Sequence, residues 1–156
     1  MKLVYYPNNI LLQKCNEVNV NDVDIEKLFS QMFDIMMNNN GIGLAAPQVG
    51  LDYRLFVMKD KIYVNPEIYE MSNEYELTEE GCLSFPNLWM NVKRAKEIVV
   101  GYTNAKNKKR EDKLFGMNAR CFQHELDHLD GVCFNQRVSR VVFEMAKKKQ
   151  RKNRVR

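Results

Sequence analysis

Gly116-Met117-Asn118-Ala119-Arg120-Cys121-Phe122-Gln123-His124-Glu125-Leu126-Asp127-His128-Leu129-Asp130-Gly131 is the stretch on which the architecture of this chain turns. Met117, Cys121, Leu126 and Leu129 supply an apolar side, and Asp130-Gly131 suits a glycine C-cap, so the spacing predicts a helix opening at Gly116. His124 and His128 stand four residues apart. On a helix both imidazoles project from one face and can meet one cation. They are the only two histidines in the chain, so a scattered-surface reading of them is weak. Glu125 adjoins the first, where it can serve a water as general base rather than as a ligand.

Outward from that helix, the chain reads as one domain. Its 156 residues, 45% hydrophobic and 28% charged, suffice for a core without staples. No apolar run approaches the ~20 residues a bilayer needs. Tyr5-Tyr6-Pro7-Asn8-Asn9 interrupts any signal-peptide core, so a cytoplasmic protein is expected. The four cysteines form no C-x-x-C unit and are expected as free thiols or ligands, with Cys15 and Cys133 as small buried hydrophobes. Seven of the 24 basic residues fall within Lys147–Arg156, leaving residues 1–146 with a net charge of −3. So local a charge does not make the whole chain a nucleic-acid binder, and no DNA partner is expected.

Before the motif, Asn21-Asp22 can cap a helix over Asp24–Asn38, with Ile25, Leu28, Phe29, Met32, Phe33 and Met36 near helical spacing. Strands are expected at Tyr53–Met58, Lys61–Asn65, Ile68–Glu76 and Glu97–Thr103, and near Lys113–Phe115 after a hairpin loop at Asn104–Lys108. The predicted class is α+β: antiparallel sheets packed around a central helix that carries the HExxH motif, plus an N-terminal helix.

Two imidazoles leave a catalytic metal short of the usual three protein ligands. Downstream of His128 there is no histidine, and the acidic residues are only Asp130 and Glu144. The better candidate lies upstream, in Glu79-Glu80-Gly81-Cys82-Leu83-Ser84-Phe85-Pro86, where strand character stops. A Cys82 thiolate would complete a His₂Cys site with an open position; a buried structural cysteine is the alternative. In Gly41-Ile42-Gly43-Leu44-Ala45-Ala46-Pro47-Gln48, two glycines and two alanines let another backbone or an extended peptide approach closely. Gln48 adds an amide donor. The alternative is a Gly-rich turn into a strand.

These three segments, in this order, resemble the signature motifs of peptide deformylases, and the resemblance runs from the Pro7 region to about Phe134. It implies removal of the formyl group from the initiator methionine of new polypeptides, releasing formate. It also implies that Cys82, His124 and His128 bind one divalent metal, Fe(II) natively with Zn, Ni or Co as alternatives. Glu125 would move the proton, and Gln48 with the Leu83 N–H would stabilise the oxygen that gains charge. Ile42 and Gly43 resemble positions that bind the substrate backbone as an added strand. Gly81, Met117, Arg120 and Cys121 match positions at the methionine pocket, and Trp89 a variable position beside it.

Against the longer bacterial members the chain is short at its end, where Ser139–Arg156 leaves room for only a short helix and an abrupt basic tail, like minimal deformylases, phage-encoded ones included. It divides into a catalytic domain, 1–140, and a short basic tail, 141–156. For the tail a solvated, disordered end is expected, with docking on ribosomal RNA near the peptide tunnel as the functional alternative. Two rival functions stand beside deformylation. A zincin-type metallopeptidase lacks its downstream ligand here, and a ribosome-associated binding protein with a structural metal leaves Glu125 and Gln48 without a role.

Overall fold

Asp24 opens the first helix of the computed structural model, which describes residues 1–154. Its side chain accepts from the Lys27 N–H at 3.0 Å, satisfying a donor that a helix start leaves free. That helix, α1, runs Ile25–Asn38. Asn21-Asp22, expected as the cap, is instead part of a preceding turn in which Asn19 Nδ2 donates to Asp22 at 2.9 Å.

Seven strands follow: β1 (Gly43–Ala45), β2 (Leu55–Met58), β3 (Lys61–Met71), β4 (Tyr75–Cys82), β5 (Phe85–Ala95), β6 (Glu97–Thr103) and β7 (Lys109–Phe115). All pair antiparallel, five in a sheet of order β1-β2-β3-β6-β7 and two in a separate ribbon, β4-β5. Helix α2 (Gly116–Leu129) carries His124 and His128, and α3 (Arg140–Arg154) ends the described chain. The α+β architecture is as the sequence predicts.

The period-two alternation of strands decides which side chain meets which helix. Leu55, Val57, Ile62 and Val64 face α1, packing with Leu28, Met32 and Met36. Phe56, Met58 and Tyr63 face the other way, against Ala119 and Phe122 of α2. Phe122 meets Phe56 edge-on at 5.0 Å and Tyr63 at 5.4 Å. Burying each such ring contributes about 1.5–3 kcal/mol, so α2 is held as a core element. At its end Gly131 adopts φ 72°, and a Cβ there would lie 2.8 Å from the Gln13 backbone, so glycine is required.

Three expectations need correction. Lys61–Asn65 and Ile68–Glu76 are not two strands split at Pro66: β3 runs through the proline, with a register shift between Val64 and Glu67 and Asn65 at φ 48°. A bulge of that kind absorbs a residue that cannot donate to the ladder. Tyr75 and Glu76 belong to β4, and strand character does not stop at Glu79; β4 continues to Cys82 and β5 returns. The short helix expected after Ser139 runs through Arg154 and takes in most of the segment expected as a disordered basic end. Phe143 and Ala146 of α3 pack on the cluster of Phe85, Leu88, Met90 and Val92, and Gln150 Nε2 donates to the Pro86 carbonyl at 2.6 Å. Val155 and Arg156 of the expected tail lie outside the described residues.

Candidate metal centre and peptide cleft

His124 and His128 are one turn apart on α2, with ring centroids 5.0 Å from each other. The end of β4 brings the third candidate ligand. At Gly81 and Cys82 the ribbon shifts register, so that Cys82 pairs with Phe85, and such an irregularity re-aims a side chain. Cys82 Sγ comes to 3.3 Å from His128 Nε2. The three ligand atoms all lie within 4.8 Å of one another. A soft thiolate with two imidazoles, closing from one side, suits a divalent transition metal with an open position.

Neighbouring charges prepare these ligands. Burial holds the His128 imidazole well below its ordinary pKa, so it stays neutral, as a metal ligand must. Glu80 is buried, which alone would raise its pKa; hydrogen bonds from His124 and Arg94 outweigh that and bring it down to about 2. An ionised carboxylate only accepts, so at 3.2 Å from Glu80 Oε1 the His124 Nδ1 carries the proton. Burial alone would lower the His124 pKa, but hydrogen bonds with Cys82 and Glu80 outweigh that and hold it well above its ordinary value. A metal taken up at Nε2 therefore displaces a proton there, with Glu80 orienting the ring from Nδ1 in the usual outer-sphere arrangement.

Glu125 stands beside the candidate ligands, buried, with Oε2 lacking a partner among the described residues. Burial pushes its carboxyl up to about 7, close to where a proton carrier is most useful. Gln48 follows the Pro47 turn in a short 3-10 helix. Its Oε1 accepts from the Ala45 N–H at 2.9 Å, which turns Nε2 toward Ser84 Oγ (3.2 Å) and Cys82 Sγ (3.5 Å). The amide therefore presents N–H donors at the metal ligands.

A cavity of about 720 Å³ opens over this cluster. Gln48, Cys82, Leu83, His124 and Glu125 line it, as do all seven expected substrate residues: Ile42, Gly43, Gly81, Trp89, Met117, Arg120 and Cys121. His128 lies behind, 1% exposed. Gly43 leaves the floor open, since a Cβ there would come 2.5 Å from Glu125 Oε1. Trp89 lies over Gly81 in the same way on the ribbon. Arg120 is a wall rather than a free cation: its guanidinium donates to the Val92 and Glu76 carbonyls, both at 2.7 Å, and to Glu80 Oε2 at 3.3 Å.

Sequence reasoning passed over Glu80, Arg94, Asp127 and Arg137 as functional groups. Arg94 carried a readable signal. Leu88, Met90, Val92 and Arg94 occupy the inward face of β5, and a charge at a core-facing position must be paired. Among the described residues, no helix is long and apolar enough to cross a membrane.

A cysteine sulfur and two imidazoles beside a buried carboxyl group, under a cleft walled in part by the β4-β5 ribbon, suit a metal-dependent hydrolase. The family model described as polypeptide deformylase matches residues 1–144, and the chain belongs to that family. The peptide deformylase of Thermotoga petrophila is 43% identical over 134 residues, covering 83% of this chain and 82% of that protein. Peptide deformylase 1B, chloroplastic, of Oryza sativa is 39% identical over 92% of this chain, which spans 57% of that protein's length. A crystal structure of a peptide deformylase from Synechococcus elongatus in complex with actinonin superposes with a TM-score of 0.91 at 34% identity, over 96% of this chain and 85% of that one.

Proposed function

We propose that this chain hydrolyses the N-formyl group of the initiator methionine on nascent polypeptides, with Glu125 as proton carrier and Cys82, His124 and His128 as ligands of one divalent metal. The observation that carries it is the convergence of those ligand atoms beside the partnerless Glu125 Oε2 in the cleft. When bound, the cation supplies Lewis acidity to the attacking water and the formyl oxygen. Glu125 takes a proton from that water as its oxygen bonds to the formyl carbon. The carbon–nitrogen bond then breaks, and Glu125 returns the proton to the leaving amine, giving formate and a free N-terminus. Gln48 Nε2 and the Leu83 N–H serve the oxygen that gains charge, each such donor worth roughly 3–4 kcal/mol of barrier.

Ile42 and Gly43 receive the peptide backbone as an added strand beside β1. Gly81, Met117, Arg120 and Cys121 surround the methionine side chain, with Trp89 at the rim. Fe(II) is the expected native metal, and Zn, Ni or Co suit the same donors. The setting is the cytoplasm, where nascent chains are made. The basic side chains of α3 further support docking on ribosomal RNA, where the substrate emerges.

Formate release from formyl-Met-Ala-Ser, before and after chelation, tests the reaction. One formate per peptide is expected, lost on chelation and restored by Fe(II), Ni or Co. Cleavage of an N-acetylated peptide at an internal bond, with no formate, would instead establish the zincin reading.

A further inference from the structure

Asp127 lies between the two histidines on α2, and the deformylation reading gives it no task. It is 7% exposed, and its carboxylate is held from two sides. Arg94 Nη1 donates to Oδ2 at 2.5 Å. Arg137 donates through Nε to Oδ2 at 2.9 Å and through Nη2 to Oδ1 at 2.5 Å. The rest of the Arg94 fork holds Glu80: Nε lies 3.2 Å from both carboxylate oxygens and Nη2 3.1 Å from Oε1. Glu80 in turn accepts from His124. An unbroken line of charge-assisted bonds thus runs from His124 through Glu80, Arg94 and Asp127 to Arg137. Arg137 ends the 3-10 turn Phe134–Arg137, just ahead of α3.

We propose that Arg137 is a positioning residue for the metal centre, acting on His124 through Asp127, Arg94 and Glu80. The physical reason is competition for one guanidinium. Arg94 is shared between two buried carboxylates, and among the described residues Arg137 is the one other side chain that pairs with Asp127. Without Arg137, the unpaired oxygen of Asp127 draws the Arg94 fork from Glu80, because a buried charge stripped of a partner is strongly unfavourable. Glu80 then loses the bonds that orient it, and His124 loses the acceptor that fixes its tautomer and ring plane. Arg120 still holds Glu80 from the far side, so the site loosens rather than collapses. Arg137 is the accessible end of the line, its side chain 48% exposed against 4% for Arg94.

This inference rests on the metal-site reading of Cys82, His124 and His128, and its test separates the two. The protein is loaded with Co(II), and three quantities are measured: affinity by chelator competition, the cobalt absorption bands, and kcat and KM on formyl-Met-Ala-Ser. Arg137→Ala is compared with Arg54→Ala, which cuts another ion pair at the same helix end, Arg54 Nη1 to Asp130 Oδ1 at 2.7 Å. For Arg137→Ala, Co(II) affinity and kcat are expected to fall about 10-fold or more, with altered absorption bands and KM held within about twofold. Arg137→Lys, which keeps the charge but not the fork, should fall between; it also serves if the alanine variant does not fold. Arg54→Ala should match the wild type in affinity and bands. Wild-type affinity and bands in both Arg137 variants would overturn the proposal, as would equal losses in Arg54→Ala. A wild-type chain that takes up no Co(II) would overturn the metal-site reading, and this inference with it.

Discussion

Glu125 and the cysteines show how far a single side chain's surroundings govern its chemistry. Glu125 has one oxygen without a protein partner and a carboxyl raised by burial. Replacing it by Gln keeps the volume and the metal ligands but removes the proton carrier. Formate release by Glu125→Gln should fall by about 10²–10⁴ in kcat, while metal content by elemental analysis stays at one per chain. Full turnover would remove Glu125 from the mechanism. The thiols divide by environment as well. Burial pushes Cys15 to about 11 and Cys133 to about 12, and a raised thiol pKa leaves the reactive thiolate scarce below that value. At pH 8, iodoacetamide should leave both unmodified over hours in the native chain, with Cys82 the first thiol labelled once the metal is chelated. Mass spectrometry of the digested protein decides it; early labelling of Cys15 would contradict its buried placement.

At the scale of elements, α3 and the β4-β5 ribbon are one cooperating unit. Phe143 and Ala146 cover Phe85, Leu88 and Met90, and β4 ends at the candidate ligand Cys82. Phe143→Ala should cost roughly 2 kcal/mol, below the 3–5 typical of a fully buried Phe, read as a lower denaturant midpoint at unchanged slope. No change in midpoint would mean that α3 does not support the ribbon. The helix α2 was legible from residues alone, because its apolar spacing and glycine stop are local signals. The ribbon was less so. Leu88, Met90, Val92 and Arg94 alternate inward with Trp89, Asn91 and Lys93 outward. That alternation marks Arg94 as a charge in need of partners, but which carboxylates supply them shows only once Glu80 and Asp127 are in place. For α3, a run of lysines masks an apolar edge only two residues wide, and that edge matters only once the ribbon is there to meet it.

Across the whole molecule, charge is segregated. Residues 1–146 carry a net charge of −3, while the basic side chains of α3 cluster at the other end. Lys148, Lys149 and Lys152 are exposed, so reversing all three to Glu should abolish co-sedimentation with ribosomes at low salt. The unmodified chain should lose binding steeply as salt rises, as phosphate-driven contacts do. Absent binding, salt-independent binding, or binding unaffected by the reversal would remove the docking proposal. From the residues alone came the α+β class, the helix with both histidines and Glu125 beside them, since these depend on spacing within short segments. Cys82 stayed open as third ligand, and Gln48 joined the centre only through the resemblance to deformylases. Only the tertiary structure decided that Cys82 Sγ reaches His128, that Gln48 turns its N–H groups inward, and that Glu80, Arg94, Asp127 and Arg137 form one buried line of charge. Those contacts join residues 10 to 46 positions apart. Local periodicity carries no information on which distant partner a buried charge will meet; the packing of ribbon against helix supplies it.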